Sequence, residues 1–203
     1  MEGASARQVM SKAIAGDGAA PFCRIENFLA PGRCARLLEL AVASKPQFEA
    51  STTTTGAKNY RRSAVLYWPP GQLLSIVGPI KSCMPFVTRS LGQKRFRVRK
   101  VEVQVTAHND GDFFKVHTDN GDRITGRRVI TFVYYLHRVP RRFAGGQLKL
   151  FTRPSRRAPV QIEPRNNTIV FFRSDREHAV RRTQCRSRRF EDGRFTINGW
   201  ICR

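Results

Sequence analysis

Residues 95–106 read RFRVRKVEVQVT, and with them the chain changes period. From Lys94 apolar residues alternate with polar ones, with Phe96, Val98, Val101, Val103 and Val105 as the apolar set. A strand sends successive side chains to opposite faces, so this alternation predicts a strand with one buried face. The phase slips between Val98 and Val101, which predicts a β-bulge.

Downstream, strand-like runs follow at short spacing over residues 129–136, 147–151, 168–172 and 195–201. Turn signals separate them, among them Gly145–Gly146 and Asn166–Asn167. Upstream the pattern is mixed. Residues 22–28 suit a short strand, and Pro31 suits the first turn of a helix whose apolar face is Leu37, Leu38, Leu40, Ala41 and Val42. TTTTGAK (52–58) reads as a loop and residues 63–67 as a strand. WPPG (68–71) ends that strand, and a helix follows over 72–90, kinked at Pro79 and Pro85. Two helices followed by many short strands, without internal repeats, predict an α+β chain dominated by β, a jelly-roll-like double sheet.

At 203 residues the chain suits one domain, and 40% hydrophobic content with 14 Phe excludes a disordered protein. The division expected is a flexible tail over 1–20 and a domain over 21–203. No apolar run approaches the ~20 residues that span a bilayer, and the first twenty residues lack the basic-then-apolar order of a secretory signal. The five cysteines are an odd number without a C-x-x-C pair, which favours buried thiols in a reducing, cytoplasmic setting. Net charge is +22 and the isoelectric point about 11.3. Such a field attracts acidic, nucleic-acid or ribosomal partners, although an arginine-rich solvated surface has the same composition. No aromatic residues interleave with the arginine clusters, so no base-stacking platform is written in the sequence. Oligomeric state stays open.

HTD (117–119) sets two ligand-type side chains two residues apart, on one face if the strand is regular. His178 follows an apolar strand and the polar turn RSDRE, where a strand end can reach the same point. Two imidazoles and a carboxylate with positions left open suit a non-haem Fe(II) oxygenase, and also a hydrolytic zinc site. Taken alone, an HxD pair is as well explained by hydrogen-bonded surface partners, and His178 by a turn histidine.

The segments around them narrow the reading. GDFFKVHTDNGD (111–122), VITFVYYL (129–136), GGQLKLF (145–151), IEPRNNTIVFFRSDREHAV (162–180) and GRFTINGW (193–200) resemble, in order and spacing, the prolyl 4-hydroxylase branch of the Fe(II)/2-oxoglutarate-dependent oxygenases. The likeness is strongest to hypoxia-sensing type prolyl hydroxylases and their bacterial relatives. It covers about 100–202, and more faintly ENFLAPGRCARLLELA (26–41). The resemblance implies a double-stranded β-helix supported by two N-terminal helices. It implies His117, Asp119 and His178 as iron ligands, and Arg194 and Tyr135 as the pair holding the distal carboxylate of 2-oxoglutarate. Leu148, Val180 and Trp200 become walls of that pocket, though ordinary core packing explains Trp200 nearly as well. Fe(II), 2-oxoglutarate and O2 are the implied cofactors, with ascorbate as a supporting reductant.

Two departures from the family stand out. His108, in AHNDGDFF (107–114), occupies a position where many relatives carry tyrosine. It is a candidate cosubstrate-pocket residue, and less readily a competing metal ligand. RRTQCRSRRFEDG (181–193) is longer and more basic than in hypoxia-sensing members, and reads as a substrate-facing lip or a solvated loop.

The leading expectation is hydroxylation of a prolyl residue in a protein or peptide. A free amino acid or small molecule is the next substrate class. A nucleic-acid demethylase of the same superfamily draws on Arg188 and Arg194 as an arginine pair, against the turn signal EDG (191–193) between them. A non-enzymatic basic jelly-roll binding module is the remaining class.

Overall fold

In a computed structural model, residues 13–15, 22–52, 59–151 and 159–203 are described. The strands in chain order are β1 (Ala13–Ala15), β2 (Cys23–Glu26), β3 (Glu49–Ala50), β4 (Arg61–Arg62), β5 (Ala64–Leu66), β6 (Lys100–His108), β7 (Phe113–His117) and β8 (Arg128–Leu136). There follow β9 (Ala144–Gly145), β10 (Leu148–Leu150), β11 (Val160–Ile162), β12 (Thr168–Arg173), β13 (His178–Val180), β14 (Thr183–Gln184) and β15 (Arg194–Cys202). Among the described residues two helices, α1 (Pro31–Ala43) and α2 (Pro70–Ser90), precede β6.

The strands form a major sheet in the order β1-β2-β12-β8-β15-β6-β5-β3, a minor sheet β11-β10-β13-β7-β4, and the pair β14-β9. This is the expected double-stranded β-helix with two supporting helices. Its core divides by strand parity. On β8, Ile130, Phe132, Tyr134 and Leu136 join Leu37 and Ala41 of α1 and Ile76, Ile80 and Val87 of α2 in one buried cluster. Val133 and Tyr135 belong instead to a second cluster, with Leu148 and Leu150 of the minor sheet. The central strands are therefore buried on both faces, which is why 129–136 reads as a nearly continuous apolar run. On the face turned away from the helices, β15 places Arg194, Thr196, Asn198 and Trp200, and β6 places Gln104 and His108, around one cavity.

Asn167 fastens the entry to α1. It sits in the left-handed region (φ 56°), its Oδ1 accepts from Leu29 N at 3.0 Å and Tyr134 Oη at 2.8 Å, and its Nδ2 donates to Leu29 O at 2.8 Å. Asparagine tolerates that backbone, and its amide satisfies buried groups before α1 that would otherwise lose water.

Several sequence expectations shift. β6 begins at Lys100, so the phase slip between Val98 and Val101 marks the strand's entry rather than a bulge within it. Phe96 and Val98 pack against the core from outside the sheet, and Arg99 N reaches Cys202 O at 3.0 Å. The strand expected at 63–67 is β5 (Ala64–Leu66) in the major sheet, and just before it Arg61–Arg62 forms β4 in the minor sheet, a strand the sequence reading did not include. Helix α2 begins at Pro70, two residues early, because proline fits a first turn whose N–H groups lack partners anyway. It continues unbroken through Pro79 and Pro85. Of the tail expected at 1–20, only Ala13–Ala15 is described, as the strand paired with β2. The loop expected at 52–58 lies, but for Thr52, outside the described residues. All five cysteines are buried and free. No helix among the described residues is long and apolar enough to cross a membrane.

Gly199 on β15 allows a close crossing of strands, since a Cβ there would overlap Glu102 O and the Phe132 ring. Gly199→Ala is expected to lower the unfolding free energy in urea by roughly 1–3 kcal/mol through overpacking. Gly71→Ala, with open space around it in the first turn of α2, should leave stability unchanged or raise it slightly.

Candidate active site

β7 and β13 bring the histidines together, with His117 ending β7 directly opposite His178, the first residue of β13. Asp119 is not on the strand, as regular HxD spacing predicted, but two residues past its end, where its N–H donates to Ser174 O at 2.9 Å. One ligand atom from each of His117, Asp119 and His178 lies within 4.8 Å of the others, the only such metal-capable group among the described residues. His117 Nε2 is 3.7 Å from Asp119 Oδ1, and His178 Nε2 is 3.4 Å from Asp119 Oδ2.

The surroundings hold these groups in the state a cation requires. Nδ1 of His117 lies 2.8 Å from Lys115 O, and Nδ1 of His178 lies 2.9 Å from Arg176 O. A carbonyl only accepts, so each ring carries its proton on Nδ1 and turns a bare Nε2 toward the centre. Thr131 Oγ1 donates to Asp119 Oδ2 at 2.7 Å and sits 3.0 Å from Ser174 Oγ. Burial, reinforced by the positive charge available at His178, pushes His117 down to about 3. Burial opposes ionisation of Asp119, but the two histidines and Thr131 outweigh it and hold the carboxyl below its ordinary value. Phe114 stacks on His117 at 3.5 Å between ring centroids and shields one side of the site. The donor set thus fits a divalent metal with open positions.

A narrow cavity of about 60 Å³ runs from the triad to Arg194. Arg194 is 2% exposed and pairs with no carboxylate among the described residues. Its backbone lies opposite His108, and its guanidinium stands 5.1 Å over the Tyr135 ring. Buried polar atoms without partners gather at this end: Arg194 Nε, His108 Nε2, Tyr135 Oη, Thr183 Oγ1 and Thr196 Oγ1. Orphaned buried groups are rare, and four of them around one uncompensated cation, whose own Nε is also unpartnered, describe the mould of an anion. A dicarboxylate fits, with one end on the Arg194 fork and the other at the metal. Leu148 and Val180, paired across β10 and β13, line the cavity with Trp200.

His108 lies at the arginine end, outside the metal cluster. Its Nδ1 is 3.2 Å from Arg194 Nη1, and since guanidinium only donates, Nδ1 must accept and the ring proton sits on Nε2. Burial and the adjacent Arg194 charge hold His108 well below the ordinary histidine value, so the ring is neutral. Arg188 points elsewhere: it is solvent-exposed, 3.5 Å from Asp110, and separated from Arg194 by the turn at Phe190–Asp192.

Three contributors escaped the sequence reading. Thr131 and Thr196 are polar residues at cavity-facing positions of otherwise apolar strands, and that parity was the available signal. Gly146, read only as a turn, has φ 69°, and a Cβ on it would stand 2.7 Å from Arg194 Cδ, so its missing side chain makes room for the arginine.

Above the metal site opens a groove of about 950 Å³, with Tyr60, Arg61, Tyr67, Glu102, Arg128 and Trp200 on its walls. The Arg128 guanidinium stands 3.7 Å over the Trp200 ring and is fixed by Glu102 at 2.8 Å.

With this geometry the comparisons agree. Residues 103–202 match the family model of the 2OG-Fe(II) oxygenase superfamily, where 2OG is 2-oxoglutarate. An uncharacterized PKHD-type hydroxylase of Synechocystis sp. is 38% identical over 186 residues, covering 87% of this chain and 61% of its own length. A Pseudomonas putida prolyl-4-hydroxylase shares the fold with a TM-score of 0.67 at 21% identity, over 90% of this chain and 92% of its own. A Trichoplax adhaerens prolyl hydroxylase, solved with a hypoxia inducible factor peptide fragment, gives 0.66 at 21% identity, over 90% and 83%. The chain thus resembles the 2OG-Fe(II) oxygenase superfamily over about half of its length. It spans 61% of the length of the curated relative it matches.

The displaced His117 equilibrium has a measurable consequence in metal-free protein. Its folded value of about 3 lies below the ordinary 6.5, so the unfolded chain takes up the proton first as pH falls. The stability it contributes is complete above pH 6.5 and is lost progressively toward pH 3. Between pH 7.5 and 5 this one group should lower the unfolding free energy by about 2 kcal/mol. Urea titrations at both pH values, on wild type and His117→Asn, should show that increment shrink in the variant.

Proposed function

We propose that this chain is an Fe(II)- and 2-oxoglutarate-dependent dioxygenase that hydroxylates a prolyl residue in a polypeptide. The observation carrying this reading is Arg194, a buried cation without a counter-ion at the far end of a cavity that begins at the His-Asp-His cluster. A buried cation in line with the open metal positions suits a dicarboxylate that chelates the metal at one end and is held at the other.

In this reading His117, Asp119 and His178 hold the iron, through Nε2 of each ring and a carboxylate oxygen. Arg194 binds the distal carboxylate of 2-oxoglutarate with its planar fork, and Tyr135 adds its unpartnered hydroxyl. His108 replaces the tyrosine of many relatives, its Nε2–H supplying the donor that a phenol would give. Iron with 2-oxoglutarate, when bound, supplies the oxidation: the oxoacid loses CO2 to become succinate, and one oxygen atom of O2 enters a substrate C–H bond. The protein's own work is positional. Thr131 and Ser174 orient Asp119, Phe114 and Val180 exclude water, and Arg128 on Trp200 forms a rigid wall where the target residue enters.

The open groove supports a polypeptide over a free amino acid, because a small substrate would leave most of its walls in water. The prolyl assignment draws on the fold shared with prolyl hydroxylases, one of them solved with a peptide. We place the protein in a reducing, cytoplasmic setting, in keeping with its five free buried thiols.

The test begins anaerobically, where Fe(II) plus 2-oxoglutarate should give the weak visible charge-transfer band of the chelate. His178→Ala should abolish the band, and Arg194→Lys, which keeps charge but loses the fork, should weaken 2-oxoglutarate at least tenfold, roughly 1.4 kcal/mol. In air, proline-containing peptides should stimulate succinate release and gain 16 mass units. A folded protein without the band sinks the oxygenase reading. Succinate release driven by methylated oligonucleotides instead of peptides replaces the substrate class.

A further inference from the structure

A second cleft, of about 700 Å³, runs along the minor sheet and meets the triad's cavity at Arg61, Phe114 and Val180. Six cations line it, namely Arg61, Arg62, Lys115, Lys149, Arg181 and Arg182, and no acidic residue does. They arrive from different strands and from the segment after β13: Arg62 lies opposite Phe113, and Lys149 opposite Ala179. Adjacent strands are about 4.8 Å apart, so the charges are spread across the sheet rather than along one strand. Arg62 alone among them reaches a carboxylate, Asp112 at 3.0 Å. Arg181 meets only the neutral Gln161 amide oxygen at 3.3 Å, and Arg182 only Gly111 O at 2.7 Å. Surface charge on a folded protein is usually mixed in sign, so a single-sign concavity of this size implies a partner of the opposite sign.

Two observations choose between kinds of polyanion. Phe113 and Phe114 stand in the cleft, bringing together aromatics and arginines that the sequence keeps apart, but both rings are engaged. Arg182 lies over Phe113 at 4.9 Å, while Phe114 is stacked on His117 and carries Arg61 at 4.8 Å. Bases of single-stranded nucleic acid need free ring faces, whereas Phe114 is flanked by His117 and Arg61 and Phe113 is covered on one face by Arg182. Carboxylates need only the guanidinium and ammonium groups, of which Arg62's alone already holds a carboxylate among the described residues. The cleft also shares Arg61 and Phe114 with the groove above the metal, so one extended chain can run from one into the other.

We propose that this cleft along the minor sheet is a docking surface for an acidic polypeptide segment, one that flanks the residue presented to the metal site. The flanking role rests on the polypeptide-hydroxylase reading above; the binding surface itself does not. Specificity in this arrangement comes from charge outside the reacting centre, and the target residue is selected by what lies beside it in sequence.

The probe is labelled poly-L-glutamate, with polyuridylate RNA as the competing class, followed by fluorescence anisotropy on iron-free protein. Poly-L-glutamate should bind, more weakly as salt rises. The variant K149E/R181E should lose about tenfold in affinity while keeping the wild-type far-UV circular dichroism spectrum and urea midpoint. K81E/R89E, an equal change in charge on exposed positions of α2, should lose much less. K149A/R181A serves as the milder pair if the reversal does not fold, with a smaller loss in the same direction. No poly-L-glutamate binding, equal loss in the α2 control, or tighter binding of RNA at the same lysine and arginine each overturns the proposal. Because no turnover is involved, these outcomes are independent of whether the chelate band or succinate release appears.

Discussion

A guanidinium buried in the middle of a β-barrel core without a counter-ion is the constraint around which this molecule is built. Removing such a group from water costs several kcal/mol even after relaxation, and no carboxylate among the described residues offsets it. The local compensation is partial. His108 accepts one N–H at 3.2 Å and the Tyr135 π-face lies 5.1 Å away, yet Nε stays unpartnered. Stability for this arrangement has to come from elsewhere in the fold, and from any dicarboxylate that completes it.

The elsewhere is the opposite face of the same strands. Tyr134 and Tyr135 are neighbours in sequence and both fully buried, but they serve opposite layers. Tyr134 closes the helix-side core and is tied to Asn167 at 2.8 Å, while Tyr135 packs in the second cluster with its ring beside the Arg194 guanidinium. The same division runs through β15, where Phe195 and Ile197 pack against the helix side and Arg194 and Thr196 line the site. The two helices are thus more than decoration on a sheet: by burying one face completely they allow the other to carry polar groups.

This division also explains how much was legible. Strand existence and a jelly-roll-like class follow from period-two patterning, whereas the ligand types of His117, Asp119 and His178 became a triad only through the segments that resemble the family. The cosubstrate residues came through resemblance, since Arg194 and Tyr135 meet only by the register that sets Thr196 opposite Tyr135 and Arg194 opposite His108. No local signal encodes a register between strands some sixty residues apart in the chain. The entry to β6 was misplaced for a related reason: Phe96 and Val98 are apolar because they pack on the core, and alternation alone cannot separate such a segment from a paired strand. The strand read at 63–67 is present, but nothing in the sequence marked the two residues before it: Arg61–Arg62 pairs with β7 and Ala64–Leu66 with β6, so one chain segment stitches two sheets together.

That stitch gives Arg61 its position, and Arg61 links the whole of the active face. Its Nε donates to Ser63 Oγ at 3.0 Å, its guanidinium covers Phe114, and it borders the metal cavity, the open groove and the basic cleft alike. Burial lowers its basicity, and the nearby Tyr67 and Asp119 favour its charged form. A side chain so placed couples what fills the groove to the packing of Phe114, and through the 3.5 Å stack to the ring of His117. The His117 ring is therefore braced by an aromatic that also borders the groove. What occupies the groove and the order of that ring are thus coupled through contacts already present.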